Sequence, residues 1–154
     1  MKAIGYLVLL GVGGLAACHP KTDESFSAML ARGRTVMGVD QYTSIHRFES
    51  LADGGRIELQ RQVDDSVGIA QIRQHLRGIA VAFKAGQFDS PTTVHARVVP
   101  GTAVMTTRRD AITYAYGDLP RGGEVRITSQ DTVAIAAIHQ FLAFQRSDHH
   151  VGMP

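Results

Sequence analysis

The chain repeats itself, and the repeat is its strongest constraint. At an offset of 68 residues, Val36-Met37 falls on Val104-Met105, Phe48 on Tyr116, Leu51 on Leu119 and Gly54-Gly55 on Gly122-Gly123. At the same offset Ile57 falls on Val125 and Leu59 on Ile127. At an offset of 66, DSVGIAQIRQHL (65–76) falls on DTVAIAAIHQFL (131–142), with seven of twelve positions identical. A unit this short cannot bury a core alone, so the two copies must combine into one domain.

Both copies carry the same local signals. Residues 43–50 and 111–117 alternate in polarity, and each segment leads to a Gly-Gly turn. A second strand follows in each, with Ile57 and Leu59, or Val125 and Ile127, on one face. Asp65 and Asp131 then stand where a helix N-cap is needed. Ile69, Ile72, Leu76, Ile79 and Phe83 recur at helical spacing, and Gly86 marks the stop. The expected fold class is α+β: a duplicated β-β-α unit forms one mainly antiparallel sheet with two helices packed on one face. A short helix is expected over 26–34 with Gly33 as its stop, and a fifth strand near 94–99, bounded by Pro91 and Pro100.

The N-terminus points to export. Lys2 precedes an uncharged run over residues 3–17, which suits a signal peptide and falls short of the roughly 20 residues a spanning helix needs. Leu15-Ala16-Ala17-Cys18 resembles a bacterial lipobox, in which cleavage before the cysteine leaves a lipidated N-terminus. Cys18 is the only cysteine, so neither an internal disulfide nor a cysteine-cluster metal site is available. The expected organisation is a lipoprotein signal peptide over 1–17 and a lipidated tether over 18–30. One α+β domain follows over 31–149, with repeats at 36–86 and 104–148, and a tail over 150–154. Lipidated Cys18 makes the membrane a partner and places the protein in the cell envelope facing the periplasm. Residue 19 is His and not Asp, which by resemblance to enterobacterial sorting rules leaves outer-membrane delivery open, so the outer membrane is expected over the inner.

Charge and motifs narrow the function. A net charge of +2 with interspersed acidic residues and no Trp offers no nucleic-acid surface. No HExxH, CxxC, GxGxxG, Walker loop or GxSxG elbow occurs, so no enzyme is expected. His75 and His139 flank apolar helical stripes as boundary residues, and His149-His150 fall in a tail expected to fray. One set carries metal chemistry: Met37 and Met105, equivalent in the two copies, with His46 and His95. Thioether and imidazole donors together favour Cu(I), which makes copper the one cofactor to consider.

The segments MGVDQYTSIHRF (37–48) with DGGRIELQ after it, VPGTAVM (99–105) and AIHQFLAFQRSDH (137–149) resemble a family of small exported bacterial proteins of uncharacterised function. The resemblance spans nearly all of residues 36–149 and implies fixed Met and His positions, which suit copper handling and equally suit a folding constraint. It does not extend to aspartate carbamoyltransferase, a label such proteins can carry, because the Ser-Thr-Arg-Thr-type phosphate-binding motif is missing. Two readings follow. One is a membrane-tethered, non-enzymatic binding module that presents its open sheet face or repeat interface to a small ligand or an envelope protein. The other is a periplasmic Cu(I)-binding protein.

Overall fold

The computed structural model describes residues 21–38 and 43–149. The signal peptide, Cys18, His150 and the tail expected from the sequence lie outside the described residues. The elements run α1 (Lys21–Met37), β1 (Ser44–Leu51), β2 (Gly54–Arg61), α2 (Ser66–Lys84), α3 (Asp89–His95) and α4 (Thr102–Thr107). A 3-10 turn at Arg109–Ala111 leads to β3 (Ile112–Leu119), β4 (Gly122–Ser129) and α5 (Thr132–Asp148). The fold is α+β, with one antiparallel sheet in the order β1-β2-β4-β3.

The two β-β-α units meet at the centre of that sheet. β2 pairs with β4 in a register centred on Ile57 opposite Val125, flanked by Arg56 opposite Arg126 and Glu58 opposite Glu124. Ile57 and Val125 are the residues that the internal alignment superposes, so a pseudo-two-fold axis passes between them. Each helix crosses to the other unit: α2 lies over β3 and β4, and α5 over β1 and β2. The crossing is fastened in matching ways. Arg73 of α2 donates to the Leu119 carbonyl at 2.8 Å, and the aligned His139 of α5 bonds the aligned Leu51 carbonyl at 2.9 Å. The boundary position expected for His139 is thus a strand-end contact.

Alternation explains the single core. Phe48, Ile57, Leu59, Tyr114, Val125 and Ile127 point to the helix side, where they pack with Ile72, Leu76, Phe83, Ile138, Phe141 and Leu142. The opposite face carries Arg47, Glu49, Arg56, Glu58, Glu124 and Arg126. Arg56 pairs with Glu49 at 2.5 Å and with Glu124 at 3.6 Å, and Arg126 with Asp53 at 2.5 Å. Both expected N-caps form: Asp65 accepts from the Gly68 amide at 3.1 Å and Asp131 from the Val133 amide at 2.9 Å.

Two local expectations are corrected. Residues 94–99 form no strand. Pro91 sits in the first turn of α3, where a missing N–H costs nothing, and Ala96 adopts a left-handed φ of 51° that ends the helix. α1 begins at Lys21, within the stretch expected to be a tether, and continues through Gly33 to Met37. Its stop is Gly38, with φ of 76° and an amide bonded to the Arg34 carbonyl at 2.9 Å. Gly33 is therefore a mid-helix glycine, and among the described residues a Cβ there would meet Met37 Cε at 3.6 Å and Val94 Cγ1 at 3.9 Å, ordinary contacts. Gly33→Ala is expected to stabilise the protein by about 0.5–1 kcal/mol, read as a rise in the urea midpoint at constant slope. A lower midpoint would mean that α1 and α3 cannot absorb a methyl group.

Candidate functional site

Helix crossing leaves a cavity where six elements meet. Its floor is His46 and Phe48 of β1 with Ile57 and Leu59 of β2, and Met37 closes it from the end of α1. α2 contributes His75, α3 contributes His95, and His149 stands at the end of α5. The remaining lining is mostly apolar, from Leu76, Ile79, Phe83, Val94 and Phe141. The cavity encloses about 80 Å³. That is several times the space one water molecule needs, but far below the roughly 300 Å³ at which pockets for organic ligands begin.

Four of the chain's seven histidines converge here. The His46 and His149 rings stack with centroids 5.5 Å apart and planes 16° from parallel. His95 meets His149 edge-on at 5.1 Å. His46 Nε2 is fully enclosed and has no hydrogen-bond partner among the described residues. Burial, with His75 nearby, pushes the His46 imidazole down to about 4, and burial alone brings His75 to about 4. Both rings are therefore neutral at physiological pH. Among the described residues no carboxylate lines the cavity.

His95 differs from the other three. Its side chain is 1% exposed, and both ring nitrogens are engaged, Nδ1 by Asp148 and Nε2 by the Gln145 side-chain oxygen at 3.0 Å. Asp148 also accepts from Arg97 at 2.6 Å. A histidine oriented by an aspartate is half of a hydrolytic triad. Here, however, Nε2 faces an amide, and Ser90, which lines the same cavity, makes no hydrogen bond to His95 among the described residues. Nothing in this arrangement activates a nucleophile. It fixes α3 to α5, as Arg32 of α1 fixes α1 to α3 through the Val94 carbonyl at 2.8 Å.

Of the four residues expected to form a metal site, the structure brings Met37, His46 and His95 to one cavity and leaves Met105 elsewhere. Met105 is wholly buried in the core and does not line the cavity. Equivalence under the pseudo-two-fold does not mean proximity: the axis carries Met37 to the other unit, where Tyr114 replaces His46. The expectation of a frayed His149 is also corrected, because the residue is 7% exposed. The signal for it was present: Phe141, Gln145 and His149 succeed one another at steps of four, one helical face continued to the last turn. Among the described residues no three His, Cys, Asp or Glu side chains form a ready-made metal site, and no helix is long and apolar enough to cross a membrane. The chain matches no family model, no curated protein and no solved structure.

Proposed function

We propose that this chain is a lipid-anchored protein of the bacterial cell envelope, facing the periplasm, that binds a small ligand in the cavity beneath β1 and β2 and has no catalytic task. The observation that carries the reading is His46 Nε2, a polar atom enclosed in an apolar cavity without a partner among the described residues. Leaving such an atom unpaired costs about 1–3 kcal/mol, which a guest bound at that nitrogen recovers. The cavity's volume favours an ion or a guest of a few atoms. The open sheet face offers less, because most of its charges already pair with one another. Attachment rests on the lipobox-like run ending at Cys18.

Native intact-mass measurement on the chain taken from its own envelope tests both halves. The wild type is expected to begin at Cys18 with acyl mass attached, and to carry a further mass that denaturation releases. Cys18→Ser is expected to keep residues 1–17 and carry no acyl mass. His46→Phe, which fills the cavity, is expected to lose the releasable mass, whereas Arg47→Ala on the open face keeps it. A wild type with an unmodified Cys18 thiol would end the anchoring claim. A releasable mass that survives His46→Phe and disappears in Arg47→Ala would move the site to the sheet face.

A further inference from the structure

The open sheet face carries a charge pattern that a single copy does not resolve. We propose that this face is the interface of a homodimer, in which a second copy of the chain stacks on it after a half-turn about an axis running across the strands. The surface lies on the side away from the two long helices, so the inference goes beyond the cavity reading above and does not rest on it.

The strand register writes the pattern. In the order β1-β2-β4-β3, one row of directly opposed residues reads Glu49, Arg56, Arg126 and Ala115. The next row on the same face reads Arg47, Glu58, Glu124 and Gly117. At the centre of the sheet Arg56 therefore stands opposite Arg126 and Glu58 opposite Glu124, like against like, which destabilises a strand pair. The repeat is the cause. The pseudo-two-fold at Ile57–Val125 carries Arg56 onto Glu124 and Glu58 onto Arg126, so the two units bear inverted charges. Relief within one copy is partial. Arg56 reaches Glu49 and Glu124, and Arg126 turns away to Asp53. Glu58 is 8% exposed, accepts from Gln60 Nε2 at 2.7 Å and forms no ion pair among the described residues.

A second copy resolves the rows in one orientation. A half-turn about the line between the two charged rows lays each row on the other. Arg56 then faces Glu58 of the second copy, Arg126 faces its Glu124 and Glu49 faces its Arg47. Each contact occurs twice, because a two-fold interface is self-complementary. Beyond the charged rows Leu51 meets the second copy's Ile45, which is 36% exposed in the single chain. Turning about an axis along the strands instead sets Arg56 on Arg126 and Glu58 on Glu124, which repels. Stacked sheets lie about 10 Å apart and roughly 30° from parallel, a gap that facing Arg and Glu side chains span. That rotation displaces β2 and β4 least, and they carry the four charges that oppose their like. A small ligand meets one or two of these charges, whereas a second copy meets both rows at once. Four eight-residue strands present roughly 500 Å² per copy. The pair then buries roughly 1,000 Å², the low end for specific interfaces, so the dimer is reversible.

Sedimentation equilibrium of the full-length chain, extracted from its own envelope into density-matched detergent, tests the proposal. The mass is expected to climb with concentration from one copy to two and no further, because a half-turn closes the assembly. Raising the salt from about 0.05 M to about 0.5 M is expected to weaken the wild-type dimer about tenfold or more, since its contacts are charge on charge. Glu58→Arg relieves Glu124 within the copy, so the variant should fold. It sets like charges face to face across the dimer, so association should weaken about tenfold or more. Exchanging both charges, Arg56→Glu with Glu58→Arg, restores complementarity between identical copies. That double variant is expected to pair with itself and to refuse a fluorescently labelled wild type in mixtures. A wild type that stays monomeric, a dimer indifferent to Glu58→Arg, or a double variant that mixes freely with the wild type would each overturn the proposal. So would association that is unmoved by salt, which acyl chains rather than the sheet face would explain. Failure here leaves the cavity reading in place, and loss of the His46-dependent mass leaves the dimer in place.

Discussion

Lowering the pH from 7.5 to 5 is expected to cost the metal-free protein about 2 kcal/mol of folding stability for each of His46 and His75. Both imidazoles are brought to about 4 in the folded state from an ordinary value of 6.5. Between those two values the unfolded chain binds protons that the folded chain refuses, so stability is full above about 6.5 and falls as the pH drops toward 4. Both residues are half-buried, and solvent screening makes these upper values. Against a typical total of about 5–15 kcal/mol, the combined loss is large. Asp53, Asp65, Asp118 and Asp131 are each held below the ordinary carboxylate value, first by hydrogen bonds from Arg126, the Gly68 amide, Tyr116 and the Val133 amide respectively. Their contribution disappears only below an unfolded value near 3.8, so the histidine window is free of it. Urea unfolding at pH 7.5, 6 and 5 reads the effect. His75→Phe should flatten the profile by its own share. An equally steep loss in that variant would assign the acid sensitivity to other groups.

The sheet and its two long helices were legible because each is specified locally and twice. Alternation, the Gly-Gly turns, Asp65, Asp131 and Gly86 all act within a few residues of themselves, and the second copy restated what the first implied. The α3–α4 connector has no counterpart in the repeat. There Pro91 reads equally well as a strand border or as a first-turn helix residue, and only the docking of α3 against α1 and α5 decides between them. The site was half legible. Met37 and His46 carry donor chemistry that stands out in a chain without cysteine ligands. That His75 and His149 join them follows from α2 and α5 crossing to opposite units, which no local pattern specifies. Met105 entered the expectation for the opposite reason: a symmetric sequence suggested a shared site, whereas the axis at Ile57–Val125 carries the two methionines apart.

The second large effect concerns the wall that separates the cavity from the core. Phe83 is 2% exposed and packs on three rings: Phe88 at 4.4 Å, Phe141 edge-on at 5.7 Å and Tyr114 edge-on at 5.9 Å between centroids. Those partners lie on the α2–α3 connection, α5 and β3, three separate anchors that cannot close together on a gap. Phe83 also lines the cavity, so truncation would add the volume of its ring to the existing 80 Å³. Phe83→Ala is therefore expected at the upper end of the usual range, about 4–5 kcal/mol, because the cost grows with the volume that fails to collapse. Phe88→Ala, nearer the surface at 8% exposure, should cost less. The same variant makes the cavity's character measurable. An enlarged dry void lined by Phe, Leu and Ile accepts benzene, as engineered apolar cavities do, whereas a wetted one does not. Benzene should raise the Phe83→Ala melting temperature and leave the wild type unchanged. A loss under about 2 kcal/mol without benzene stabilisation would mean that α2 settles into the space and that the cavity wall is softer than its three aromatic contacts require.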